Sequence, residues 1–194
     1  MKKLILAAVL LPALVLAAGP VVFVDGFKGT ENLAFDGQGG LYVSDAARLW
    51  KVENGKPTEL FRLGKGDGNS LGGVAVGPGG LVYFSIGKRI MTYDPAAGEI
   101  EEFAAGFKFA NGICFDDDGN LYVADTNGST LYVIPAGTRS TQKLKANAGT
   151  VNGVVWSREL NALYYTVMVP GEVRVMALGP GPSNVGDRLV KKFP

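Results

Sequence analysis

"ENLAFDGQGGLYVSD", residues 31–45, returns 80 positions later as "NGICFDDDGNLYVAD", residues 111–125. The Leu-Tyr-Val run, the Gly-containing turn and the closing Asp are kept, while the leading Glu31 becomes Asn111. Working outward, Leu41-Tyr42-Val43 aligns with Leu81-Val82-Tyr83, Leu121-Tyr122-Val123 and Leu163-Tyr164-Tyr165, at steps of 40, 40 and 42. Each unit holds four short alternating runs. In the first they are Asn32 to Phe35, Leu41 to Ser44, Arg48 to Val52 and Thr58 to Leu63. A turn such as "DGQGG", "GPGG" or "DDDGN" joins the first two. Short β-branched and aromatic runs with Gly-rich hairpins predict an antiparallel meander. Four strands at a period of about 40 predict a propeller blade. The fold expected is therefore an all-β propeller of four-stranded antiparallel blades, about four of them present.

The outer strands add a second count. "TELFRLGK" at 58, "IEEFAAGF" at 100, "TQKLKANA" at 141 and "DRLVKKFP" at 187 resemble one another, and "VVFVDGFK" at 21 makes a fifth. Five outer strands against four inner sets leave Val21 to Phe27 without partners. Unpaired sheet edges promote association, so the expectation is a ring lacking C-terminal blades, with either those blades or an oligomer covering the exposed edges.

Residues 1–17 are expected to be a signal peptide. Lys2 and Lys3 precede an apolar run, Leu4 to Leu16, too short to span a bilayer, and Val15-Leu16-Ala17 offers a small-residue cleavage site. Residues 18–194 then form one domain, with no membrane anchor after cleavage and a periplasmic or secreted location. Without Lys2 and Lys3 the chain has 17 basic and 18 acidic side chains, a net charge of −1, which gives no electrostatic case for nucleic acid. Cys114 is the only cysteine, so no intrachain disulfide can form, and no histidine is present. A Ser-His-Asp triad and a histidine zinc site are both excluded. Chemistry must rest on carboxylates, amides, hydroxyls, Lys, Arg or a hard metal ion.

On the 40-residue grid the Glu31 slot is filled by Leu71, Asn111 and Asn152. The start of a propeller's innermost strand faces the central channel, so these slots should ring one axis. One carboxylate and two amide carbonyls suit Ca²⁺, which takes six to eight oxygens. Asp116, Asp117 and Asp118 look like half a calcium loop, but the Gly and Glu spacing of an EF-hand is absent and the same place elsewhere is a plain turn. Asp45 and Asp125 share a slot that turn capping explains.

The motifs "TENLAFDGQGGLYVSD", "ANGICFDDDGNLYVADT" and "VNGVVWSRELNALYYTV" resemble blades one, three and four of the regucalcin and gluconolactonase family (senescence-marker-protein-like), which are six-bladed propellers with a divalent metal in the channel. The resemblance runs from Val21 to Pro194. It implies metal ligands at Glu31, Asn111 and Asn152, Asn111 also touching substrate, with no ligand from blade two. It implies hydrolysis of a small-molecule lactone or ester, the metal polarising the carbonyl. The family's fifth blade supplies an aspartate in a Pro-Asp-Gly motif, the usual candidate base, and the sequence ends before it. An inactive member is therefore one expectation, and a non-catalytic scaffold of the NHL type is the alternative. A virginiamycin-lyase-like role is disfavoured by the lack of histidine.

Overall fold

The computed structural model describes residues 23–64 and 70–194. The expected signal peptide lies outside the described residues. Among the described residues sixteen strands form four sheets. Blade one contains β1 (Asn32–Phe35), β2 (Leu41–Ser44), β3 (Arg48–Glu53) and β4 (Lys56–Arg62). Blade two contains β5 (Leu71–Val76), β6 (Val82–Ile86), β7 (Arg89–Asp94) and β8 (Glu99–Ala105). Blade three contains β9 (Ala110–Phe115), β10 (Leu121–Asp125), β11 (Thr130–Ile134) and β12 (Gln142–Lys145). Blade four contains β13 (Val151–Ser157), β14 (Ala162–Val167), β15 (Glu172–Gly179) and β16 (Ser183–Lys192). Every neighbouring pair of strands is antiparallel. Among the described residues no α-helix occurs, and one 3-10 turn at Pro78–Gly80 joins β5 to β6.

The innermost strands pack in order, β1 on β5, β5 on β9 and β9 on β13. Among the described residues no comparable packing returns from β13 to β1, so the four blades form an open arc. Between blades lie three apolar cores. Tyr42 and Leu49 of blade one meet Leu71, Val74, Val82 and Phe84 of blade two. Ala75, Tyr83 and Ile90 of blade two meet Ile113, Leu121 and Val123 of blade three. Tyr122, Leu131 and Val133 of blade three meet Leu163, Tyr165 and Met176 of blade four. A polar latch accompanies each core. Ser44 Oγ donates to the Gly72 carbonyl at 2.6 Å, Ser85 Oγ to the Asn111 carbonyl at 2.9 Å and Thr126 Oγ1 to the Val151 carbonyl at 2.6 Å.

Two sequence expectations need correction. The described part of the expected fifth outer strand, Phe23 to Phe27, is not a strand. It lies on the free face of blade one, where Val24 and Phe27 pack against Leu41, Val43 and Val52 and the Phe27 ring meets Trp50 edge-on at 5.7 Å. With no open edge aligned to it, an apolar run is held by side-chain packing alone.

The second correction is a register. Leu41 pairs with Phe35, Val82 with Val76 and Leu121 with Phe115. Val82, not Leu81, is thus the counterpart of Leu41, and blade two sits one residue later than the grid places it. Its ring slot belongs to Gly72. Leu71, fully buried between blades one and two, is a core residue.

Candidate functional site

In blades two, three and four the pairing of the first two strands slips between Leu71 and Val74, across Val123 and Asp125, and between Val151 and Val154. Each slip is a β-bulge, a device that re-aims a side chain near a site. The bulged pairs are Gly72-Gly73, Asn111-Gly112 and Asn152-Gly153. The bulge explains why the ring letter varies while the scaffold does not: the bulged residue leaves the ladder.

The glycines after the ring letter serve packing. A Cβ on Gly73 would sit 2.7 Å from the Ile113 nitrogen, and one on Gly112 would sit 2.8 Å from Gly153 Cα and strike the Asn152 carbonyl. Only glycine lets the innermost strands approach this closely. Gly72 works differently. A Cβ there would lie 2.7 Å from Ser85 Oγ and 3.2 Å from Asn111 Oδ1, so its absence keeps the space beside the Asn111 oxygen open.

Asn111 Nδ2 donates to Thr126 Oγ1 at 3.3 Å, and Asn152 Nδ2 donates to Met168 Sδ at 3.4 Å. Both amide nitrogens are thereby engaged by their own blades. Among the described residues neither Oδ1 accepts a hydrogen bond. Glu31 occupies the matching position before β1, its backbone nitrogen donating to the Ser44 carbonyl at 3.0 Å. It is exposed and lines a cleft of about 530 Å³ with Phe23, Phe27, Thr30 and Leu33, at the open end of the arc. The fold therefore brings Asn111 and Asn152 onto adjacent strands, and Glu31 two innermost strands from Asn111, with Gly72 between.

By residue type, one carboxylate and two free amide oxygens are donors of the kind a hard cation takes. The set does not suit a soft metal. Among the described residues no three carboxylate or cysteine side chains cluster closely enough to hold an ion by themselves.

Other polar groups are already occupied. Asp116 accepts from the backbone nitrogens of Asp118 and Asn120, from Asn120 Nδ2 and from the Tyr122 hydroxyl. Asp117 forms a two-pronged ion pair with Arg158 of the next blade at 2.7 and 2.8 Å. The Asp116–Asp118 stretch is thus a turn and a blade clamp. Asp125 accepts from the backbone nitrogens of Lys108, Phe109 and Gly128, fixing the chain that enters blade three. Asp45 accepts from the nitrogens of Lys28, Ala47 and Arg48, from the Arg48 guanidinium and from Trp50 Nε1. Cys114 shares the core between blades three and four with Val154 and Trp156, and burial pushes its thiol up to about 12, too high for a nucleophile.

Sequence reasoning missed Gly72 and the hydroxyls Ser44, Ser85 and Thr126. The signal for the first was the Gly-Gly pair itself, which matches the Asn-Gly pairs of blades three and four once the bulge is allowed for.

The fold and the arc of innermost strands define a β-propeller, and comparison with known proteins agrees. A model of the NHL repeat matches residues 107–133, which include β9, β10 and most of β11. No curated protein matches by sequence. Among solved structures, a gluconolactonase from Xanthomonas campestris is similar over 89% of this chain and 65% of its own, with TM-score 0.74 and 18% identity. A chain of the nidogen/laminin complex is similar over 85% of this chain and 66% of its own, with TM-score 0.73 and 18% identity. Virginiamycin B lyase from Staphylococcus aureus is similar over 85% of this chain and 56% of its own, with TM-score 0.68 and 17% identity. At such identities the likeness shows the fold alone. The chain spans about two thirds of the length of the first two and just over half of the third.

Proposed function

We propose that this chain is an exported, metal-binding β-propeller whose axial site is of the gluconolactonase type. Glu31, Asn111 and Asn152 hold a divalent cation, most simply Ca²⁺, and Asn111 also meets a small lactone or ester. The observation that carries the reading is the pair of free amide oxygens, Asn111 and Asn152, set on equivalent bulges of adjacent innermost strands, with the gap at Gly72 beside Asn111. When bound, such an ion supplies Lewis-acid polarisation of a carbonyl. The protein's own part is to orient: Thr126 and Met168 fix the two amides, and the bulges aim them away from the ladder. The four ring slots hold one carboxylate. With Glu31 on the ion, no second ring carboxylate of these blades activates water, so binding outweighs turnover. A histidine-dependent reaction is excluded by composition; the lyase is described as catalytically inactive in a histidine-to-alanine variant.

The experiment is calorimetry with Ca²⁺ on the purified chain. One weak site is expected, with Kd of about 10⁻⁴–10⁻³ M, as for sites with few charged ligands. Glu31→Gln abolishes it. Equal binding by that variant sinks the reading. The NHL match and the likeness to the nidogen/laminin chain support a second reading, a scaffold that binds macromolecules and is indifferent to metal. The two part on one measurement, since metal-dependent hydrolysis of a lactone or ester at any detectable rate excludes the pure scaffold.

A further inference from the structure

The blade-to-blade interface is one design used three times. Counting the ring slot (Glu31, Gly72, Asn111, Asn152) as position one, position four of the earlier blade shares a core with position three of the later one: Ala34 with Val74, Ala75 with Ile113, Cys114 with Val154. A tyrosine of the earlier blade's second strand lies in the same core: Tyr42, Tyr83, Tyr122. In the last two an aromatic of the later blade meets that tyrosine. Phe115 packs edge-on to Tyr83 at 4.9 Å, and Trp156 stacks over Tyr122 at 6.5 Å.

Both halves of a fourth such interface are present and bare. By strand register, blade four repeats the earlier face with Val155, Tyr164 and Thr166. Blade one repeats the later face with Leu33 and Phe35. Val155 is 58% exposed where its counterpart Ala75 is 8%, and Leu33 is 59% exposed where Val74 and Ile113 are 2% and 4%. Phe35, the counterpart of Phe115 and Trp156, is 68% exposed. Tyr164 lines an apolar cleft of about 450 Å³ with Leu160, Ala162, Val175 and Ala177. Two smaller signs agree. Gly153 matches Gly73 and Gly112, the glycines that admit a neighbouring backbone, yet a Cβ on it would meet only Thr166 Oγ1, at 3.3 Å. Thr166 matches Ser44 and Ser85, the latch hydroxyls, and is exposed. The lead-in segment covers Leu41, Val43 and Val52 on blade one and leaves the channel half, Leu33 and Phe35, open.

We infer that the open face of blade four docks blade one of a second copy of this chain, head to tail. Val155 and Tyr164 of one copy close over Leu33 and Phe35 of the other, and the Thr166 hydroxyl donates to the Glu31 carbonyl, which matches that of Gly72. The occupant is a second copy because the surface required is the one blade one already presents, and the contact continues the interface that joins blades within the chain. Such a contact is heterologous. The inference does not depend on the metal reading.

The test is sedimentation of the full chain and two variants, Phe35→Asp and Val155→Asp, each at a solvent-exposed position so that the fold is kept, as far-UV circular dichroism checks. Wild type associates, with mass at least doubling as concentration rises. Each variant alone associates about tenfold or more weakly, because a carboxylate would be buried without a partner. Mixing the two restores a heterodimer, since the Phe35→Asp copy keeps a sound blade four and the Val155→Asp copy a sound blade one. A wild type that stays monomeric at its solubility limit overturns the proposal. So does undiminished self-association of either variant, which would mean a different surface, and so does failure of the mixture to recover, which would mean symmetric pairing of like faces.

Discussion

Blades one and three carry matching motifs, seven of fifteen letters being identical between residues 31–45 and 111–125, yet they sit in different surroundings. In blade three, Ile113 is 4% exposed and Phe115 packs on Tyr83 and Phe103 lies near the same ring. In blade one, Leu33 and Phe35 hold the same positions and are 59% and 68% exposed. Their other faces do not differ: Tyr42 and Tyr122 are both buried, at 2% and 0%. The exposure therefore follows from place in the arc and not from residue type. Sequence specifies two sticky faces per blade, and a neighbour decides whether each is covered.

The sharpest way to break that comparison is to remove the same tyrosine from a covered and an open face. Tyr122 is fully buried between blades three and four and donates to Asp116 Oδ2 at 2.8 Å. Tyr164 holds the same position on blade four, facing the open cleft. Tyr122→Ala should cost about 4 kcal/mol, as large aromatic truncations in cores do, and Tyr164→Ala well under about 1 kcal/mol, as surface changes do. Urea unfolding at low chain concentration, where association contributes nothing, measures both. Similar losses at the two sites would mean that Tyr164 is covered after all.

That pairing was only half legible in the sequence. The strands of blade one were readable to the residue over 32–35 and 41–44, because alternation and Gly-rich turns are local signals. Asn111 and Asn152 were readable as a recurring Asn-Gly pair. Blade two was misread by one residue because Leu81 mimics Leu41, whereas Leu81 is the last turn residue, its carbonyl accepting from the Gly77 nitrogen at 2.9 Å. Periodicity cannot see a bulge, since the extra residue looks like part of the run. Nor could it place Phe23–Phe27: an apolar alternating run reads as a strand whether or not an edge is free to pair with it. The openness of the arc was predictable from counting blades; which side chains it bares was not, because that depends on register.

A finer version of the comparison uses glycine. Gly112 faces the backbone of blade four, and Gly153 faces the open side. An added Cβ at Gly112 would need two innermost strands to separate, since the obstruction is the Asn152 carbonyl and Gly153 Cα. Overpacking of this kind costs about 1–3 kcal/mol, and with backbone as the obstacle Gly112→Ala should fall near the upper end. Gly153→Ala meets only a threonine side chain and should change stability by less than about 0.5 kcal/mol. Thermal melts of the two variants, run side by side, decide it. Comparable drops in Tm would show that the strands around Gly153 are already closed by a neighbour.

The smallest effect concerns how each of the two blades holds the chain that enters it. Asp125 grips the entry to blade three through two backbone nitrogens at 2.8 and 2.9 Å. Asp45, in the matching place, reaches the entry to blade one only through Lys28, at 3.4 Å, and spends the rest of its capacity on Arg48 and Trp50. Burial by itself would raise the Asp45 carboxyl, but the Arg48 guanidinium, the Trp50 N–H and the backbone donors outweigh it and hold the group below 3.8. A carboxylate whose folded value is depressed stabilises the fold above its unfolded value, and that contribution is lost as pH falls through the folded value. Asp45 therefore supports blade one at pH above about 3.8 and progressively less below it. Asp45→Asn should cost about 1.5 kcal/mol at pH 7, the scale of hydrogen bonds to a charged group, and the gap between variant and wild type should close as the solution is acidified. Trp50 reports the event directly, because its N–H bonds the same carboxylate at 3.0 Å, and a Trp156→Phe background leaves it as the sole tryptophan. In that background Trp50 emission should shift at acid pH before the global transition, and Asp45→Asn should remove the early shift. If the stability gap persists undiminished well below pH 3, the carboxylate charge is not what anchors the open blade, and the looser grip at its entry would have to come from the long Lys28 contact alone.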